Sequence, residues 1–148
     1  MKEFAMPETT AATPAAIKDV RIITLSIARD WRAAYDFAAE PTNLPRWAVG
    51  LGSNFRQQGA AWTADSLLGP ITVRFTPPND FGVLDHWVTT ATGVEIAVPL
   101  RIVANGAGCM VVFVLFRQAG VGDAELARDA AAVEADLRRL KALLETEA

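Results

Sequence analysis

The sequence predicts an α+β domain, in which a curved antiparallel sheet of about six or seven strands wraps around a long C-terminal helix. Three observations lead to this prediction. Residues 122–147 carry a helical apolar pattern, short segments with strand character occupy most of the chain before them, and turns rich in glycine or proline separate those segments. Turns this short join antiparallel strands, because parallel strands need a crossover of a dozen or more residues. Two short helices are predicted after the first strand.

The C-terminal helix is the clearest element. Its apolar residues recur at alternating spacings of four and three, which places them on one stripe: Leu126, Ala130, Val133, Leu137, Leu140 and Leu144. Acidic residues begin the segment and basic residues lie near its end, the order that the helix dipole favours. At about 1.5 Å per residue the helix is on the order of 36 Å long. Such a stripe needs a broad partner surface, which the strands must supply.

The first strand and the two short helices open the predicted domain. Residues 20–28 are β-branched or apolar on both faces, which is typical of a strand that is covered on at least one side. Asp30 is the predicted N-cap of a helix that runs to Glu40 and ends at Pro41. Residues 41–47 carry prolines four positions apart, which suits a tight turn followed by a single helical turn.

Six further strands are predicted at residues 54–58, 61–66, 71–76, 83–89, 94–103 and 109–117. Asn105 and Gly106 form the strongest hairpin signal, between the last two of these strands. Residues 1–18 are rich in alanine, threonine and proline without periodicity, and are predicted to form a flexible tail. Residues 19–148 are predicted to form a single domain, since dividing a chain of 148 residues would leave pieces too small to bury a core.

Composition argues against several classes of function. The net charge of −3 gives no general attraction to nucleic acid. No apolar leader is evident, and the longest apolar run, residues 110–116, is far shorter than the ~20 residues of a membrane helix, so we expect a cytoplasmic protein without membrane insertion. The single cysteine, Cys109, is expected to be a buried core residue, and neither a metal site nor a cofactor is predicted.

Two internal motifs and the end of the chain resemble a known superfamily. The helix motif Asp-Trp-x-x-Ala-Tyr-Asp-Phe (residues 30–37), the segment Pro-Thr-Asn-Leu-Pro-Arg-Trp (41–47) and the ending Asp-Leu-Arg-Arg-Leu-Lys-Ala-Leu-Leu-Glu (136–145) are similar to those of the SRPBCC superfamily, the START or Bet v 1-like helix-grip proteins. Within it, the chain looks most like the bacterial polyketide cyclase/dehydrase-like branch. The resemblance covers residues from about 20 to 145. It implies a hydrophobic cavity that the superfamily uses for lipid or hormone binding, polyketide cyclisation and other roles, so fold alone does not choose among them.

Asp85 and His86 are the candidate catalytic residues. Neighbouring strand residues point to opposite faces, so one of the two should face the cavity. If Thr89 pairs with Val94 across the next turn, Asp85 faces inward and His86 outward, whereas a one-residue change in that loop reverses the assignment. The imidazole of His86 would serve as a general acid or base near neutral pH. The carboxylate of Asp85 would serve as a base with a raised pKa, or would pair with an arginine or a backbone group instead.

Alternation along the strands and the helix gives the expected ligand contacts. From the sheet these are Val73, Phe75, Ile96, Val98 and Leu100, and from the terminal helix they are Ala130, Val133 and Leu137. Trp47, Trp62 and Trp87 are further candidates, because large rigid aromatic faces suit aromatic or sterol-like ligands, although core packing would also account for each. Arg74 and Arg101 lie opposite apolar inward sets and are expected to face solvent.

Three functions stay open at this point. The favoured one is binding of a small hydrophobic or amphipathic ligand, such as a lipid, an aromatic compound or a polyketide-like molecule, between the sheet and the terminal helix. The second is a polyketide cyclase or dehydratase that uses Asp85 or His86 as its acid or base. The third is a co-chaperone-like protein-interaction domain, which an exposed apolar patch would favour. Homodimer formation is also left open.

Overall fold

A computed structural model describes residues 16–146 of the chain. The strands in this part are β1 (Val20–Ile27), β2 (Ser53–Gln58), β3 (Ala61–Ser66), β4 (Gly69–Phe75), β5 (His86–Thr89), β6 (Glu95–Val98), β7 (Leu100–Asn105) and β8 (Gly108–Phe116). The helices are α1 (Trp31–Ala39), α2 (Leu44–Trp47) and α3 (Asp123–Thr146), with a 3-10 turn at Pro41–Asn43. The predicted tail falls mostly on residues 1–15, outside the described part, and residues 16–19 form neither helix nor strand.

The strands form two antiparallel sheets, and the α+β prediction is confirmed. One sheet has the order β1-β8-β7 and the other the order β2-β3-β4-β5-β6. The count of eight exceeds the predicted six or seven because the single strand expected at residues 94–103 divides at Pro99 into β6 and β7. Proline lacks the N–H that a continuous ladder requires, so the chain bends there and passes from one sheet to the other.

Backbone hydrogen bonds join the two sheets where the chain bends. The N–H of Leu84 donates to the carbonyl of Leu100 over 2.8 Å, and the N–H of Ile102 donates to the carbonyl of Gly82 over 2.9 Å. Gly82 has φ +72°, and a Cβ at this position would lie 2.1 Å from the Ile102 oxygen. Only glycine tolerates both the conformation and the close approach. The two sheets therefore form one strongly curved surface.

Helix α3 lies across the three-stranded sheet and carries the predicted stripe into the core. Leu126, Leu137, Leu140 and Leu144 are all at least 97% buried, and the inner face of β1 packs in the same cluster through Ile23, Leu25 and Ile27. The last turn of α3 is fastened to the end of β1, because the Glu145 carboxylate accepts the N–H of Ala28 over 2.7 Å. Among the described residues, no helix has both the length and the apolar character needed to cross a bilayer.

The short helices close one end of the curved surface. The Asp30 carboxylate accepts the N–H groups of Arg32 and Ala33, as expected of an N-cap, and α1 packs on β7 and β8. The turn and single helical turn predicted for residues 41–47 are present as the 3-10 turn and α2, which contacts α3 and β2. The Asn105-Gly106 hairpin is also present, with Asn105 opposite Gly108.

Candidate functional site

A cavity of about 250 Å³ lies between α3, the curved sheet and the segment from α1 to β2. That volume corresponds to about eight water molecules at ~30 Å³ each, which suits a ligand on the order of ten non-hydrogen atoms. Most of its wall is apolar. The polar side chains in the wall are those of Thr76, His86, Asp129 and Asp136.

The sheets and α3 supply several of the predicted contacts. Phe75, Val98 and Leu100 line the cavity from the sheet side, and Val133 and Leu137 line it from α3. Trp47 closes the wall from α2 and is 5% exposed. Whether these residues contact a ligand remains a prediction, because the structure establishes only their position.

Five predicted contacts lie elsewhere on the fold, and one of them, Trp87, is on the opposite face of the sheet. Trp62, Val73 and Ile96 share the concave face with the cavity wall, but they lie beyond its far end. There Val73 packs with Ala64, Ile71 and Val88 into a separate core cluster that Ile96 contacts. Ala130 is half-buried on α3 without reaching the cavity. Strand alternation fixes which face a side chain occupies, and does not fix where along that face packing leaves space.

Trp87 faces away from the cavity, contrary to its candidate role. It pairs with Arg74 and Ala97 across the neighbouring strands, and the Arg74 guanidinium lies 4.4 Å from the centre of its ring. Arg74 also contacts the Glu95 carboxylate at 3.5 Å. The outward position of Arg74 agrees with expectation, and Trp87 serves as its stacking surface.

The register of β5 places His86 in the cavity wall and Asp85 outside it. Thr89 pairs with Glu95 and not with Val94, so the loop between the paired residues has five residues and not the four that a Thr89–Val94 pair would leave. That single residue turns the even-numbered side chains of β5 inward, which is the reversal that the sequence left open. His86 consequently pairs with Val98 and Phe75, two other residues of the wall.

His86 is buried as a neutral imidazole. It is 7% exposed, and its Nδ1 lies 3.0 Å from the carbonyl oxygen of Leu84, so Nδ1 carries the proton and donates it. Burial lowers the pKa of His86, although the Leu84 carbonyl and Asp85 oppose that shift. Nε2 then carries a free lone pair. It has no hydrogen-bond partner among the described residues and is accessible to a water-sized molecule.

Asp85 pairs with an arginine and with a backbone N–H, which is the alternative to a role as a base that the sequence left open. Its Oδ1 accepts the N–H of Leu100 over 2.9 Å, the donor left over where Pro99 interrupts the strand. Its two oxygens also receive the Arg101 guanidinium, at 2.9 and 2.7 Å. The hydrogen bond from Arg101 holds the pKa of Asp85 below its usual value, against the effect of partial burial. A carboxylate this stabilised is a poor base, and it lies outside the cavity.

Asp136 is a cavity residue that sequence reasoning missed. Both of its oxygens accept the N–H of Gly50, at 3.1 and 3.0 Å, and Oδ1 also contacts the Arg139 guanidinium. Burial raises the pKa of Asp136, and the bonds from Arg139 and Gly50 offset only part of that effect. These contacts fasten the loop before β2 to α3, next to Trp47, whose carbonyl accepts from Arg139.

Asp129 is the second missed residue. It lines the cavity from α3 seven positions before Asp136 and is exposed to solvent, which places it at the mouth. The signal that could have found both was the spacing of Asp129, Ala132 and Asp136, which follow one another along the edge of the apolar stripe. Thr76, Leu84 and Phe113 also line the cavity. They were missed because the sequence predicts strands at these segments and does not indicate which end of each strand borders the cavity.

No metal site accompanies this cavity. Among residues 16–146, no three histidine, cysteine, aspartate or glutamate side chains lie close enough together to hold an ion. Cys109 is 1% exposed in the core, and burial raises the pKa of its thiol.

The sequence matches no protein-family model, and no curated protein is similar to it. Solved structures are similar in fold. DynU16, a protein in the dynemicin biosynthetic locus, has a TM-score of 0.67 at 17% identity over 88% of this chain and 49% of its own. This chain therefore spans about half the length of DynU16.

Two other structures match over nearly their whole length. The Aha1 dimer from Colwellia psychrerythraea has a TM-score of 0.68 at 13% identity, over 86% of this chain and 97% of its own. XoxI from Bacillus cereus has a TM-score of 0.66 at 12% identity, over 86% and 96%. At these identities the likeness concerns the fold alone, and it confirms the helix-grip fold that the sequence predicts.

Proposed function

We propose that the chain binds a small, largely apolar ligand in the cavity, with one polar group of the ligand donating a hydrogen bond to Nε2 of His86. The observation that carries this proposal is the Nε2 acceptor of His86, which has no partner among the described residues and lies in a mostly apolar wall. A hydrogen bond from a ligand hydroxyl to this nitrogen would contribute about 0.5–1.5 kcal/mol, net of the contact with water that it replaces. Burial of the ligand's apolar surface would supply the remaining affinity.

A matched pair of variants tests whether the cavity is the binding site. Val98→Phe places a ring in the cavity wall, whereas Val103→Phe makes the same change on the neighbouring strand, where Val103 is 46% exposed. The test ligand is 2-naphthylmethanol, an apolar ring system with one hydroxyl, and affinity is measured by isothermal titration calorimetry. We expect Val98→Phe to weaken binding by roughly tenfold or more, equivalent to ~1.4 kcal/mol, and Val103→Phe to leave it unchanged.

Neighbouring residues on opposite faces test the role of the imidazole. His86→Leu removes the acceptor from the wall and should weaken binding of 2-naphthylmethanol by roughly fivefold, about the value of one hydrogen bond. Asp85→Asn, outside the cavity, should have no effect on affinity. Equal losses in both variants would contradict the proposal. Native mass spectrometry of gently purified protein adds an independent check, since a co-purified small molecule should be lost in Val98→Phe.

A second candidate function is proton transfer by His86, as in a cyclase or dehydratase. The fixed Nδ1–H and the free Nε2 favour it, because a neutral imidazole is competent as a general base. Burial lowers the pKa of His86, so its basic form persists to more acidic pH than usual. Asp85 is unsuited to act as the base, because Arg101 stabilises its ionised form and it lies outside the cavity.

Deuterium exchange of 2-tetralone tests this second function without a known substrate. The base would remove a proton from the carbon next to the carbonyl, leaving an enolate that solvent deuterium then quenches, and NMR follows the loss of the proton signal. We expect exchange above background in wild type and Asp85→Asn, and background exchange in His86→Leu. If 2-naphthylmethanol binds and 2-tetralone does not exchange faster, the result contradicts proton transfer by His86 to such ketones and favours binding. If neither test ligand binds, a protein-interaction role becomes the leading alternative.

A further inference from the structure

The polar side chains of the cavity wall share one property, which is that each presents an acceptor. The Thr76 hydroxyl already donates to the carbonyl of Asp85 over 2.6 Å, so only its lone pairs remain. Nε2 of His86 is an acceptor because Nδ1 holds the proton. Asp136 receives N–H groups from Gly50 and Arg139, the arrangement of a carboxylate. Asp129 is the fourth polar residue in the wall, and its carboxylate is likewise an acceptor.

Donors are not available to a ligand from the side chains of this wall. The indole N–H of Trp47 has no hydrogen-bond partner, but it exposes less than 1 Å² and a water-sized molecule in the cavity cannot reach it. Arg139 directs its guanidinium to Asp136 and to the Trp47 carbonyl, and it does not line the cavity. Among the described residues, a ligand carboxylate would therefore enter a wall without a cationic side chain or a free side-chain donor, which is costly.

Asp129 gives the mouth of the cavity a negative charge without a neutralising partner. It makes no ion pair or hydrogen bond with another described residue. Partial burial and the charge of Glu125, one turn earlier on α3, raise the pKa of Asp129, and Arg128 only partly opposes them. A cation placed beside this carboxylate would relieve both effects.

We propose that the ligand is a hydrophobic amine, with its apolar body in the cavity and its ammonium group at Asp129. This inference rests on the proposed binding function and specifies the chemistry of the ligand. It rests on the unpaired carboxylate at the mouth, and the acceptor of His86, more deeply buried in the wall, would receive a second donor group of the same ligand. An exposed ion pair contributes up to about 1 kcal/mol, so the expected selectivity is modest.

Three probes of the same ring system test the proposal by calorimetry at neutral pH. They are 2-naphthylmethylamine, 2-naphthylmethanol and 2-naphthoate, which are cationic, neutral and anionic. We expect the amine to bind about fivefold more tightly than the alcohol, and the carboxylate about fivefold more weakly. Val98→Phe should weaken binding of the amine, which locates it in the cavity.

Asp129→Asn and Glu134→Gln separate the local carboxylate from overall charge. Both remove one negative charge from α3, but the Glu134 side chain is 56% exposed and does not line the cavity. Asp129→Asn should bring the amine to the affinity of the alcohol while leaving the alcohol unchanged, and Glu134→Gln should preserve the preference. The inference is overturned if the amine binds no better than the alcohol or if both variants act alike. If none of the three probes binds, the proposed function itself fails.

Discussion

Asp85 on the outside of the curved sheet and Asp136 in the cavity wall have similar partners and opposite behaviour. Each is paired with an arginine and each accepts a backbone N–H, and their side chains are 18% and 13% exposed. The pKa of Asp85 is nevertheless lowered and that of Asp136 raised. The difference lies in their surroundings. Arg101 holds Asp85 through two hydrogen bonds, whereas Asp136 lies between α3, the Gly50 loop and a mostly apolar cavity, where burial disfavours its charged form more strongly.

This contrast shows why a count of ion pairs does not identify a functional carboxylate. Asp85 looked like the better candidate in the sequence, since it neighbours the single histidine. In the structure, however, its carboxylate is bound by the Leu100 N–H and by Arg101, at the bend beside Pro99. Asp136 is also held by protein groups, but part of its desolvation cost remains. A carboxylate in that state responds strongly to the loss of a partner.

The largest expected effect comes from removing the two arginines in turn. Arg139→Met should lower the free energy of unfolding by about 2–3 kcal/mol at neutral pH, because it leaves a buried carboxylate without its cation. Arg101→Met should cost less than about 1 kcal/mol, because Arg101 is half exposed and Asp85 keeps the N–H of Leu100. Urea denaturation of both variants measures the difference. Equal losses would show that the two environments are energetically alike.

A smaller effect is expected from crowding Asp136. A Cβ at Gly50 would lie 2.8 Å from Oδ2 of Asp136, so Gly50→Ala must displace the carboxylate and should cost about 1–2 kcal/mol. Gly122→Ala is a control for the added Cβ alone, which has open space there; because Gly122 directly precedes α3 and alanine caps a helix less well than glycine, we expect a loss of about 0.5–1 kcal/mol that does not depend on Asp136.

A double-mutant cycle identifies the cause of that loss. In an Asp136→Ala background the carboxylate is absent, so Gly50→Ala should be nearly neutral and the two changes should be strongly non-additive. Thermal or urea unfolding of the four proteins gives the coupling energy. Additive losses would mean that Gly50 is needed for the loop itself and not for its contact with α3.

The smallest effect, and the one that distinguishes the carboxylates by sign, is the dependence of stability on pH. The lowered pKa of Asp85 means that its contribution is present above the unfolded value of 3.8 and is lost as pH falls through the folded value. The pKa of Asp136 is raised in the folded protein, so the dependence has the opposite sign. Its contribution to stability is present below pH 3.8 and is lost as pH rises through the pKa of the folded state.

Urea midpoints across the acidic to neutral range test this sign for each carboxylate. The urea midpoint of wild type should rise relative to that of Asp85→Asn as pH rises. The urea midpoint of wild type should fall relative to that of Asp136→Asn over the same pH range. Slopes of the same sign would contradict the contrast between the two sites.

Local patterns were sufficient for the elements and for the fold. The stripe from Leu126 to Leu144, the cap at Asp30 and the Asn105-Gly106 hairpin each depend on spacing over a few residues, and all three are present. Pro99 was the exception. A proline at this position is a local signal for a break in the strand. The break transfers the chain from one sheet to the other, and that outcome depends on hydrogen-bond partners distant in sequence.

The sequence by itself determined that a long amphipathic helix must be covered by short antiparallel strands, because hydrophobic periodicity is a property of the chain alone. Only the tertiary structure decided which of Asp85 and His86 faces inward, since one residue in the loop between β5 and β6 reverses the register. Tertiary packing also decided where the cavity lies along the concave face, by filling one end with Val73 and its neighbours and leaving the other end open beside Asp136. Space left between packed elements depends on the fit of several distant segments at once, which no local pattern in the sequence specifies.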